Sequence, residues 1–210
     1  MTMVELAAQQ HGKSRVRVGR VWRDGARHTF VEWTVDTMLE SDMAHAYKSP
    51  SNAGMTATDT QKNTVYFIAK QLPSNASPED FAIALAKHFV VTYPLVTRAK
   101  IGVEQANWER HQQGDRPHAH GYEGHGTGAR TAYVEYSTVG QLTVHGGVRG
   151  WKVLKTTQSG YEGDYALLAV RDLGLVCASL QWHAGLSVLL TMESAFQLDL
   201  YPAQEFDLLI

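Results

Sequence analysis

Cysteine is nearly absent from this chain: Cys177 is the only one among 210 residues. An internal disulfide is therefore excluded, and a reducing, cytoplasmic setting is the simplest expectation. Charge of one sign is also lacking. The net charge of −2 offers neither a basic field for nucleic acid nor a polybasic membrane signal. No apolar leader stands in "MTMVELAAQQHGKSRVRV", and "DLLI" at the far end is no peroxisomal tripeptide. The most apolar stretch, Tyr165 to Leu190, is broken by Arg171, Asp172, Gln181 and His183, which argues against a membrane span. What is present is ordinary globular material, 44% hydrophobic and 19% charged, in enough chain for one large domain or two small ones.

"RVRVGRVW" (15–22) alternates charged and apolar residues, the period of a half-buried strand. Asp24-Gly25 marks a hairpin turn, and "HTFVEWTVDTML" then sets Val31, Trp33 and Val35 on one face against Glu32, Thr34 and Asp36. Two helices are expected next. In "TDTQKNTVYFIAKQL" the residues Val65, Ile68, Ala69 and Leu72 recur at helical spacing, and Thr58-x-x-Gln61 has the pattern of a capping box. Ser77-Pro78-Glu79-Asp80 gives the second helix a cap, a proline in the first turn and acids at the positive dipole end; Pro94 closes it. "RAKIGVEQANWERH" reads as a further strand and "QQGDRPHAHGYEGHGTG" as a long polar loop. "ARTAYVEYSTV", "QLTVHGG" and "WKVLKTT" are three more strand-like runs. The order strand, strand, helix, helix, strand, strand predicts an α+β layer structure over residues 1–139, with a second, incomplete unit over 140–210. From about residue 164 the chain is apolar without a clean period.

Candidate chemistry is sparse. His111, His118, His120 and His125, with Asp115 and Glu123, have some of the spacing of a metal site, but a solvated histidine-rich loop is favoured. Cys177, inside "GLVCASL", reads as a buried structural thiol. Thr58 and Asp59 read from spacing as a helix cap and a complement to the dipole. The same helix end would also suit an anionic heterocycle. Thr58 would work as a proton relay only beside a group that eases loss of its proton, for which Lys13 is the candidate.

Four segments add a resemblance: "GKSRVRV" (12–18), "ATDTQKNTVYFIAKQ" (57–71), "WER" with "GDRPHAH" (108–120), and "GVRGWKVLKTTQSGYEG" (147–163). Together, over Lys13 to Gly163, they resemble urate oxidase. That resemblance implies the tunnelling fold, whose full members carry two units and assemble as homotetramers with sites between subunits. It implies oxidation of urate by O2 to 5-hydroxyisourate and hydrogen peroxide, with no metal and no organic cofactor. Lys13 matches the family's relay lysine, Thr58 its partner threonine, and Asp59 the acid whose backbone lies near the substrate. Tyr161 stands where the family usually has the phenylalanine that stacks on urate. The clamping arginine has no counterpart at matching spacing, Arg171 being displaced, and the later glutamine and Asn-x-His group are not found. A truncation or change of frame near Gly163 would account for this. A non-catalytic remnant keeping only the fold or interface is therefore the alternative expectation.

Overall fold

The computed structural model describes residues 6–124, 126, 128–155 and 188–199, giving the backbone course alone for 151–155 and 188–199. The first hairpin forms as the alternation predicts. Strand β1 (His11–Asp24) turns at Gly25, whose φ of +54° suits a residue without a Cβ, and pairs antiparallel with β2 (Arg27–Ser41). A short helix, α1 (Ala44–Lys48), leads to α2 (Thr58–Gln71) and α3 (Pro78–Thr92). The chain then returns as β3 (Val96–Gln105) beside β2. Further on, β6 (Ala129–Ser137), β7 (Leu142–Lys155) and β8 (Val188–Asp199) extend one antiparallel sheet in the order β1-β2-β3-β6-β7-β8.

Three expectations need correction here. The run 98–111 is not one strand. It leaves the sheet at Ala106, whose N–H donates to the Glu32 carbonyl, and resumes as β4 (Trp108–Gln113). The histidine-rich stretch is no loop either. It is β5 (Arg116–Gly124), paired with β4 as a separate two-stranded arm. Such a ribbon has no buried face to impose apolar alternation, so its pattern reads as polar loop. Its fastening is carried by side chains. The Arg110 guanidinium donates to the carbonyls of His28, His118 and Ala119 and to the Tyr122 hydroxyl, at 2.6 to 2.8 Å. Trp108 Nε1 donates to Glu32 at 3.2 Å. A third correction concerns "QLTVHGG" and "WKVLKTT", which both run into one strand, β7 (Leu142–Lys155), with a bulge between Val148 and Trp151.

Both long helices lie on one face of the sheet. Every second residue of β2 points at them, and Trp33, Val35 and Leu39 are fully buried. Val65, Ile68 and Ala69 of α2 and Phe81, Leu85 and Phe89 of α3 close the core from the other side. Trp33 packs on Phe81 with ring centroids 4.8 Å apart, an arrangement that adds to the simple burial of two large rings. Val91, placed on the apolar pattern of α3, is 77% exposed. The opposite face of the sheet carries charges of both signs in pairs: Arg17 with Glu32, Lys100 with Glu40, Arg98 with Glu135, and Arg149 with Glu104. Alternate residues of one strand thus serve a dry core and a hydrated face. Within this arrangement α3 lies over β3 and β6, while α2 lies over β1. That last placement brings the start of α2 to the start of β1.

Candidate functional site

The start of β1 is shaped by one close approach. A Cβ added at Gly12 would stand 1.8 Å from the Thr37 carbonyl oxygen, so only glycine fits against β2 here. The register then slips. Ser14 and Arg15 together face Asp36 alone, between the pairs Lys13–Thr37 and Val16–Val35. Arg15 takes a φ of +58°, among the described residues the sole non-glycine with positive φ. Its N–H donates to Asp36 Oδ1 at 2.6 Å, which holds the bulge in place. A bulge of this kind re-aims the neighbouring side chain, and that neighbour is Lys13.

The start of α2 departs from the expected capping box. The cap position falls on Ala57, which has no side-chain oxygen and makes no side-chain cap bond. The first intrahelical bond runs from the Gln61 N–H to the Ala57 carbonyl at 3.0 Å. Thr58, Asp59 and Thr60 come before it, so their N–H groups form the helix end that a cap would otherwise close. Thr58 is exposed at the first helical position. Asp59, also exposed, pairs with Lys62 at 3.0 Å. That hydrogen bond and charge hold its carboxyl below the usual carboxylate range, and the charge of Lys13 adds a smaller push the same way. Lys13 is thus within electrostatic reach of the α2 entrance, although no hydrogen bond joins its ammonium to Thr58 among the described residues.

Gln61, assigned to the cap by its spacing, instead turns inward and is fully buried. Its Oε1 accepts from the Thr37 hydroxyl at 2.8 Å, and its Nε2 donates to the Thr56 carbonyl at 3.3 Å. The Thr56 carbonyl also accepts from His11 Nε2 at 3.0 Å. The Lys13 N–H lies 3.3 Å from Thr37 Oγ1. Sequence spacing missed Thr37, Gln61, Gly12 and His11. The available signal was Gln61 on the same helical side as Val65 and Ile68, one turn and two turns on.

Tyr161, Arg171, Cys177 and His125 lie outside the described residues. His111, His118 and His120 sit on the β4–β5 arm, where His118 Nδ1 accepts from the Gly121 N–H and His111 pairs with Glu123. Among the described residues no group of three histidine, cysteine or acidic side chains is placed to hold a metal ion. No helix among them is long and apolar enough to cross a membrane.

A family model described as Uricase matches residues 9–135, more than half of the chain. The chain belongs to the uricase family. It is 46% identical over 155 residues to Uricase-2 of Phaseolus vulgaris and 47% identical over 161 residues to Uricase of Arabidopsis thaliana. Each alignment takes in 73% of this chain and 50% of the relative. The chain thus spans about half the length of the curated relatives it matches. Among solved structures, the uricase of Arthrobacter globiformis superposes with a TM-score of 0.74 at 29% identity, over 98% of this chain and 66% of that one. The architecture is accordingly the tunnelling fold of the uricases: an α+β unit of β1, β2, α2, α3, β3 and β6, followed by part of a second.

Proposed function

We propose that this chain supplies the Lys13–Thr58 half of a urate oxidase site, and that residues 140–210 begin the second tunnelling-fold unit. The observation that carries the proposal is the joint placement of β1 and α2. The segments bearing the half-buried Lys13 and the open helix end are joined across 45 residues of sequence by the His11–Thr56 bond, which supports this reading. An uncapped helix end presents N–H groups and a positive dipole, which favour a planar anion such as urate. In this reading the Asp59 N–H and the Thr58 hydroxyl meet the edge of the anion. Thr58 relays a proton between urate and the Lys13 side chain, a general-base step worth roughly 10²- to 10⁴-fold. O2 then accepts two electrons from urate; with water added at the oxidised ring carbon, the products are 5-hydroxyisourate and hydrogen peroxide. Tyr161 supplies the ring that stacks on the purine. The exposure of Thr58 in a single chain fits a site completed by another subunit, as in a homotetramer.

The half-length match favours a second reading, a chain that keeps the fold or interface without turnover. One assay separates the two. Purified full chain is mixed with urate in air, and loss of the ultraviolet absorbance is followed together with peroxide. Turnover that Thr58→Ala abolishes supports the enzyme. Absence of turnover from a chain whose circular dichroism shows an intact fold supports the remnant.

A further inference from the structure

The Thr37–Gln61 contact has a defined sense. The Thr56 carbonyl can only accept, so the Gln61 group facing it must be the Nε2 amide, as the 3.3 Å bond has it. Gln61 Oε1 therefore faces Thr37, and the Thr37 hydroxyl must donate to it across 2.8 Å. The Lys13 carbonyl also lies 3.3 Å from this hydroxyl, but the single proton goes to the shorter contact with Gln61, and Thr37 Oγ1 is left as the acceptor for the Lys13 N–H at 3.3 Å. The same rule makes His11 Nε2 the protonated ring nitrogen, since it too faces the Thr56 carbonyl. The result is a one-way chain from the Lys13 backbone through Thr37 and Gln61 to the Thr56 carbonyl, two residues before Thr58. Thr37 and Gln61 are both fully buried. Such groups cost stability unless paired, and each is paired here with a segment bearing one of the two proposed relay residues.

We infer that Thr37 and Gln61 are positioning residues, a buried latch that fixes the Lys13 backbone and the α2 entrance at one separation. The inference rests on the reading of Lys13 and Thr58 as the relay, but the latch itself is a mechanical link that can be tested without turnover. If the link holds, removing either partner loosens both ends together. A polar group whose only purpose is to satisfy its neighbour would loosen one end.

The test uses the full chain with Thr37→Val, Gln61→Met, the double variant and Thr37→Ser. Amide hydrogen exchange is read by mass spectrometry in peptides spanning 11–16 and 56–61. Thr37→Val and Gln61→Met should each speed exchange at least tenfold in both segments, with Thr37→Ser close to the parent. The double variant should regain thermal stability over either single variant, because both buried partners are then apolar. Its Lys13 segment should nevertheless still exchange fast. Where urate is turned over, Thr37→Val and the double variant should lose at least tenfold in kcat with KM within threefold, and Thr37→Ser should restore kcat. Exchange that changes in one segment alone overturns the latch. Coupled exchange with parental kcat in the double variant overturns the positioning role. A parent chain without turnover defeats the relay reading and leaves the exchange result to decide the latch.

Discussion

The two long helices begin in opposite ways. At α3 the Ser77 hydroxyl accepts from the Asp80 N–H at 3.1 Å while Asp80 accepts from the Ser77 N–H at 2.9 Å, and Pro78 removes one unpaired donor. That end is closed by its own side chains. At α2 a similar spacing, Thr58 and Gln61, closes nothing: the threonine is exposed and the glutamine is bonded to β2. The difference lies in what each end faces. The α3 cap residues are exposed or partly so, so a local bond competes only with water, whereas α2 starts over β1, where buried Thr37 offers Gln61 a partner. A helix end whose polar residues serve a neighbouring strand keeps its own N–H groups available for a ligand.

Breaking the open end should be felt mainly in chemistry. On the relay proposed above, Lys13→Met and Thr58→Ala are each expected to lower urate turnover by roughly 10²-fold or more, the usual size of a positioned proton-transfer group, in a steady-state absorbance assay. Next in size is the wall behind Lys13. Gly12→Ala would set a methyl group 1.8 Å from the Thr37 carbonyl, so β1 must shift away from β2. Overpacking of that kind should cost on the order of 3 kcal/mol in denaturant unfolding.

The helix ends themselves can be compared by stability. Ser77→Ala should cost about 1 kcal/mol, a lost cap, in the same unfolding experiment. Thr58→Ala, at an end it does not cap, should stay within roughly 0.5 kcal/mol. Equal losses would mean that Thr58 caps α2 in solution. The smallest effect is the pH response of Asp59. Its folded value is depressed, so the pairing with Lys62 stabilises above the ordinary carboxylate pKa and is lost as pH falls through the folded value. In a carboxyl NMR titration, Lys62→Met should raise the Asp59 midpoint toward the unperturbed position. Lys13→Met should raise it by less, which checks how near that ammonium stands to the α2 entrance.

Much of the framework was legible beforehand. The alternation in β2 buries Trp33 and Val35 as read, the Asp24-Gly25 turn joins β1 to β2, and Ser77-Pro78 opens α3. These features depend on local period and turn chemistry, which a sequence states directly. The β4–β5 arm was not legible, because its order comes from Arg110, Trp108 and Tyr122 reaching across to β2 instead of from an apolar face. The site was legible only in part. Resemblance singled out Lys13, Thr58, Asp59 and Tyr161, the last beyond the described residues, while Thr37 and Gly12 carried no local sign of their use and Gln61 only its place on the buried side of α2.

By itself the sequence determined the family, the first hairpin and the two long helices. The tertiary structure alone decided that Gln61 turns away from its own helix end. Whether a side-chain amide serves its own backbone or a neighbouring strand depends on which acceptors and donors are left dry beside it. Only the packing of α2 across β1 and β2 buries Thr37 at hydrogen-bond distance from Gln61.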